Sequence, residues 1–281
     1  MRLVMTLLVH NEEEMLEANL EYHLAQGVDF VIVTDHGSTD ATASILRGYE
    51  ERGLVRVIRV EGHQHHQSRR VTRMARLAAI EYQADWVINN DADEFWWPGA
   101  GTLAQALCSV PERYGQVVAA RHDFLPVAGH DGAPFHQRLI VREPTSHNLK
   151  GQALEPKVAH RGHPAVIVAP GNHSISNADL PATPPSALLE VLHFPMRTLG
   201  QFERKVLATG LGYESLPSRS REVGRDQLHL LAAHRRGELP GYFAAHLLSE
   251  DAIADGVAAG RLVIDDRLQR FMAALGGARH Q

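Results

Sequence analysis

Through the first third of the chain, short apolar runs alternate with stretches whose apolar residues recur at helical spacing. Leu3–Val9, Val28–Thr34, Leu54–Val60 and Trp86–Asn89 are the runs, and each reads as a strand. Met15, Leu16, Leu20 and Leu24 mark one helix, closed by Gly27. Ala41–Arg52 is a second, closed by Gly53, and Val71, Met74, Ala75 and Ala78 form one face of a third over Gln67–Gln83. Asn11, three residues before Glu14, is placed as an N-cap of the first helix, and Ser38 or Thr39 as a cap of the second. The order βαβαβαβ with near-continuous apolar strands predicts an α/β fold: a mostly parallel sheet flanked by helices on both faces. Ligands of such sheets bind beyond the carboxyl ends of the strands. His10-Asn11-Glu12, Asp35–Asp40 and Asp91–Glu94 stand at those ends.

Beyond Gly115 the pattern is mixed. Val117–Arg121, Arg138–Val141, Val158–His160, Val166–Ala169 and Leu188–Leu192 are short strand candidates, and Thr198–Gly210 reads as a helix. From Gly224 to Leu275 the pattern is helical, with a break at Pro240-Gly241. The polar stretch Leu216–Ser220 suggests a division into an α/β domain, 1–215, and a helical C-terminal extension, 216–281, packed on it.

Composition narrows the classes. The 281 residues are 44% hydrophobic, enough for a sizeable core, and the net charge of -5 argues against a nucleic-acid partner. The single cysteine, Cys108, excludes an intrachain disulfide and reads as a small buried hydrophobe. The first apolar run is too short for a signal peptide and runs at once into Glu12-Glu13-Glu14, so a cytoplasmic location is expected. Lysine is scarce (Lys150, Lys157 and Lys205), a bias without functional content at this level. Arginines in the last helices are interspersed with acids, which points to packing on the first domain or in a homodimer, not to a membrane surface.

Asp91 and Asp93 carry the chemistry. Two residues apart at a strand end, their carboxylates can face one ligand, and paired carboxylates call for a cation. Mg²⁺ and its relatives take one or two carboxylates plus phosphates and waters. An Asp-x-Asp can also merely cap a helix or solvate a loop; its place after a fourth strand weighs against that. Arg69, Arg70 and Arg73 open the preceding helix and suit a phosphate group, Arg73 foremost, or a solvated face. His63-Gln64-His65-His66 reads as a loop beside the pocket, since adjacent residues of an extended segment alternate faces. Trp96 and Trp97 suit either the apolar face of a ligand or the core.

The motifs Asn11-Glu12-Glu13, Glu21–Val28, Asp35–Asp40 and Asp91-Ala92-Asp93-Glu94-Phe95, in this order, resemble family 2-type glycosyltransferases of GT-A (Rossmann-like) fold, in the Asp-x-Asp-Glu-Phe branch. His193–Arg197, with Phe202 and Lys205, adds a weaker match. The resemblance implies a metal-dependent transferase with Mn²⁺ or Mg²⁺ at Asp91 and Asp93. His193 is a further ligand, or else a structural or acceptor contact, with His173 as its rival. It implies that Asp35 accepts from the base of a UDP-linked donor, and that Asn11, Glu12, Ser38, Arg70, Arg73, Asp91 and Lys205 line the donor site. It further implies inversion, with a carboxylate general base among Asp123, Glu155 and Glu94. The acceptor is a glycan, a lipid-linked molecule or a small molecule. Two rivals are a sugar nucleotidyltransferase, disfavoured by the glycine-free acidic loop after the first strand, and a non-catalytic nucleotide- or sugar-binding module, disfavoured by the intact aspartates.

Overall fold

The computed structural model describes residues 1–60, 67–129, 132–148, 151–184, 187–215 and 224–278. His63–His66 and the Leu216–Ser220 loop therefore lie outside the described residues. In chain order the elements are β1 (Leu3–Val9), α1 (Leu16–Ala25), β2 (Phe30–Asp35), α2 (Thr42–Glu51), β3 (Val55–Arg59), α3 (Gln67–Ile80), β4 (Trp86–Asp91), β5 (Glu94–Pro98), α4 (Leu103–Cys108) and β6 (Gln116–Asp123). Then come α5 (Phe135–Arg138), β7 (Val141–Arg142), β8 (Lys157–Arg161), β9 (Ile167–Val168), β10 (Ile175–Ser176) and β11 (Leu189–His193). The last are α6 (Leu199–Glu214), α7 (Arg225–Arg235), α8 (Leu239–His246), α9 (Glu250–Ala258), β12 (Val263–Ile264) and α10 (Arg267–Ala278). They form two compact units. Among the described residues one takes 1–60, 67–121 and 147–193, and the other takes 122–146 and 194–278.

The first unit is built on an eight-stranded sheet of order β3-β2-β1-β4-β8-β6-β11-β5. β3, β2, β1 and β4 run parallel, whereas β4–β8, β8–β6 and β11–β5 are antiparallel. Alternate β1 side chains explain the two-sided burial. Leu3, Met5, Leu7 and Val9 join Leu16 and Leu20 of α1, Leu46 and Tyr49 of α2, and Leu103 and Leu107 of α4. Val4 joins Val71, Met74, Ala75 and Ala78 of α3 on the other face. The helices thus change face where β1 meets β4, and open α/β sheets bind ligands at such a point. Register sets Val9 beside Asp35 and Leu8 beside Asp91, so the two aspartates flank β1 at its carboxyl end.

Several local expectations change. Asn11 has a left-handed φ of 55° and does not cap α1, whose N-cap is Met15; nor do Ser38 and Thr39 cap α2, which follows Ala41. Residues 94–98 form a strand that the motif conceals, because Glu94–Pro98 lacks polar–apolar alternation and is buried along most of its length. Arg138–Val141 is not one strand: α5 ends at Arg138 and β7 begins at Val141. Cys108 is exposed, one position past the buried Ala106 and Leu107, where the helix has turned to solvent.

The second unit is largely helical. Phe202, Val206, Ala233, Leu239 and Phe243 form its core across α6, α7 and α8. Thr198 caps α6 by accepting from the Gln201 N–H (3.2 Å). The expected break at Pro240-Gly241 falls earlier, at Gly237 (φ 72°); Pro240 sits in the first turn of α8, where its missing N–H costs nothing. Arg142 and Arg267 both pair with Asp265 (2.7 Å each), and although burial opposes it they hold that carboxyl down to about 2. Arg235, Arg236 and Arg270 pair with Glu214, Glu238 and Asp266. Among the described residues no helix is long and apolar enough to cross a membrane.

Candidate active site

The acidic segment turns sharply between β4 and β5. β5 pairs with β11 so that Glu94 stands opposite His193, and His193 Nε2 comes to 3.5 Å from Asp93 Oδ2. Asp93 and His193 are close although a hundred residues separate them. Asp91, on the other side of the turn, accepts from Lys157 Nζ (2.8 Å) and from Asn172 Nδ2 (3.2 Å). Lys157 also meets Glu94 Oε1 (2.8 Å) and the Gly171 carbonyl (2.7 Å). Burial pushes the Glu94 carboxyl up, and the Lys157 ammonium offsets this only in part. Burial by itself would lower Lys157; Asp91 and Glu94 outweigh it and hold the ammonium protonated well above the ordinary lysine value.

The turn is held from behind by α1. Asn19 Nδ2 donates to the Ala92 and Glu94 carbonyls (3.0 and 2.8 Å), and Asn90 Nδ2 donates to Asn19 Oδ1 and the Glu94 carbonyl (3.2 Å each). The Tyr22 hydroxyl donates to the Trp96 carbonyl (2.7 Å), and the Trp96 N–H donates to His23 Nε2 (3.3 Å). Accepting at Nε2 requires the neutral tautomer with its proton on Nδ1, which faces the Asn19 carbonyl at 2.8 Å. Burial drives His23 down to about 4, which keeps that tautomer. Tyr22 and His23 of the motif thus grip the backbone of the acidic segment, while Glu21 meets Tyr49 and Arg52. Trp96 is buried in the core and Trp97 stacks on Tyr22 (5.9 Å), so Trp96 offers no face to a sugar.

The loops after β1 and β2 are stitched to each other. The Asn11 N–H donates to Ser38 Oγ (3.0 Å), and Asn11 Oδ1 accepts from the Thr39 N–H (2.7 Å). The Glu12 N–H donates to Thr42 Oγ1 (2.9 Å) and the Glu13 N–H to Asp40 Oδ2 (3.2 Å). Asp35 is buried, and its Oδ1 accepts from the Ser38 N–H (3.0 Å). Asn11, Glu12, Asp35 and Ser38 therefore form one rigid pair of loops. On α3, Arg69 and Arg73 are exposed, and Arg70 is half-buried with its guanidinium lowered by burial. Gln67, Ser68 and Thr72 bind the 168–171 backbone, which fixes the turn carrying Asn172.

The candidate bases separate. Glu94 is sealed in its pair with Lys157. Glu155 is 76% exposed, with Oε2 at 3.5 Å from His173 Nε2. His173 donates from Nδ1 to the Pro156 carbonyl (2.9 Å) and does not join Asp93. Asp123 and Lys205 belong to the second unit, where the Asp123 N–H donates to Ser146 Oγ (2.9 Å). Sequence reasoning missed Lys157, Asn172 and Asn19. Lys157 had one faint signal, as one of only three lysines in the chain.

Among the described residues no group of three or more His, Cys, Asp and Glu side chains gathers for a metal. The donor set of Asp93 oxygen and His193 nitrogen nevertheless suits Mn²⁺ or Mg²⁺, which complete their shells with substrate phosphates and water. The sequence model of glycosyltransferase family 92 matches residues 5–174. The chain belongs to glycosyltransferase family 92. That stretch holds both aspartate loops, the acidic turn, Lys157 and Asn172, so the glycosyltransferase class expected from the motifs stands, and the family shown is family 92.

No curated protein matches the chain. Among solved structures it is similar to TarS 1–349 of S. aureus in complex with UDP, at 14% identity, TM-score 0.41, over 100% of this chain and 92% of that one. TarS 1–349 of S. aureus alone gives 15% identity and TM-score 0.39, over 78% and 68%. Glucosyl-3-phosphoglycerate synthase from Mycobacterium tuberculosis, in complex with Mn²⁺, UDP and glucosyl-3-phosphoglycerate, gives 22% identity and TM-score 0.31, over 43% and 44%. This family 92 chain thus spans less than half of the synthase. Family membership rests on the sequence match, not on these likenesses.

Proposed function

We propose that this family 92 glycosyltransferase is a metal-dependent GT-A enzyme that moves a sugar from a UDP-linked donor to a hydroxyl acceptor with inversion. The observation that carries the reading is the corner where Asp93 and His193 meet at 3.5 Å, beside Asp91 and one strand from the Asp35 loop. Asp35, fixed by Ser38, accepts from the imide N–H of the base. Arg70, half-buried and without a carboxylate partner among the described residues, takes the diphosphate in preference to the exposed Arg73. A bound Mn²⁺ or Mg²⁺ supplies charge neutralisation on the diphosphate as the sugar leaves. Asp93 and His193 hold that charge in place. With Glu94 sealed, Glu155 is the carboxylate base within the same unit, and Glu155→Gln is expected to lower kcat.

The test is turnover of UDP-sugars, including hydrolysis, with and without Mn²⁺. Asp93→Ala is expected to lower kcat by at least a hundredfold while Tm stays within a few degrees. Full activity of that variant with Mn²⁺ present defeats the reading.

A further inference from the structure

We propose that Lys157 is a resident counter-ion of the acidic corner, neutralising Asp91 and Glu94 and holding Asp91 out of metal coordination, so that a divalent ion rests on Asp93 and His193. In its metal part this rests on the function proposed above.

Three observations point the same way. Lys157 is fully buried and first in β8, where register with Ala119 fixes its place. Its three ammonium protons meet three acceptors on three segments: Asp91 Oδ2 at the end of β4, Glu94 Oε1 at the start of β5 and the Gly171 carbonyl (2.8, 2.8 and 2.7 Å). An ammonium has three donors and no more, so none remains for a substrate phosphate. Each Asp91 oxygen already accepts one hydrogen bond, Oδ2 from Lys157 and Oδ1 from Asn172 Nδ2 (3.2 Å), which turns the carboxylate toward these donors. Asn172 is itself held at a left-handed φ of 61°, next to Gly171 at 70°, so the turn is shaped to present it. Asp93 faces the other way, toward His193.

The electrostatics give the reason. Asp91, Asp93 and Glu94 lie within four residues, with Asp93 and Glu94 buried and Asp91 partly exposed, and carboxylates so close repel one another unless a cation stands among them. A compact ammonium can satisfy three divergent acceptors where the planar guanidinium fork cannot, which accounts for lysine in a chain that otherwise prefers arginine.

The experiment measures Mn²⁺ binding to the full chain without donor, by calorimetry. Asp91→Asn is expected to bind Mn²⁺ within threefold of wild type, and Asp93→Asn at least tenfold more weakly. The double variant Lys157→Met, Glu94→Gln removes the ion pair in balance and frees Asp91, so its affinity is expected to rise at least tenfold. Lys157→Gln, Glu94→Gln takes its place if the first does not fold. The inference is overturned if Asp91→Asn weakens binding as much as Asp93→Asn, or if a folded double variant binds Mn²⁺ no better than wild type. If wild type and Asp93→Asn both fail to bind, the metal part of the proposed function fails. Acquired binding in the double variant then still upholds the role of Lys157, and its absence overturns that too.

Discussion

Single residues at the two strand ends answer different questions. Asp35 is buried and aimed by the Ser38 N–H, so it is preorganised as an acceptor. Asp35→Ala is expected to weaken UDP binding about tenfold or more in calorimetry, the scale of one hydrogen bond to a charged group. Cys108 is expected to react with a thiol reagent in the native protein, because it is exposed. A native thiol count of zero contradicts that placement. The charges that matter most are read only by neighbours. Asp91 and Asp93 look equivalent in sequence, yet Lys157 and Asn172 take one and His193 faces the other.

At the scale of elements, α1 and the acidic turn act as one part. Asn19 supports two carbonyls of that turn. Asn19→Ala takes this donor from the buried Ala92 carbonyl, while the Glu94 carbonyl keeps Asn90, and is expected to cost roughly 1–3 kcal/mol in denaturant unfolding. It is also expected to lower kcat, because the turn carrying Asp93 loosens. Unchanged stability and kcat dismiss the grip. Gly27 ends α1 at φ 90°, and an added Cβ falls 2.7 Å from Ala104 Cβ. Gly27→Ala is expected to destabilise by more than about 1 kcal/mol, since strain and overlap act together.

Across the whole molecule, buried histidines link stability to pH. Burial drives both His23 and His160 down to about 4, from 6.5 when exposed. Between those values the unfolded chain binds more protons, so stability rises with pH there. The contribution is whole above 6.5 and is lost as pH falls toward about 4, at roughly 3 kcal/mol for each histidine at the limit. Denaturant unfolding at pH 7 and pH 5 is expected to show a fall, smaller in His23→Gln. An equal fall in wild type and variant removes His23 from that account. The two compact units also belong to this scale. Residues 122–146 join 194–278, whereas a reading along the chain places a boundary at one point, 215.

The sequence by itself determined the parallel half of the sheet, from β1 to β4, because apolar runs and helical spacing are local signals. It also placed Asp35 and Asp91 at strand ends, since those ends follow from the same pattern. Register then set both beside β1. The antiparallel half was less legible: β5 hid inside a motif, and β8 and β11 come from distant, short segments. Only the tertiary structure brought His193 to Asp93 and Lys157 to Asp91, through the β5–β11 pairing and the place of β8 beside β4. The physical reason is range. Strand and helix patterns arise within a few residues, whereas the charges that partner a carboxylate are chosen by strand pairing across as many as a hundred residues.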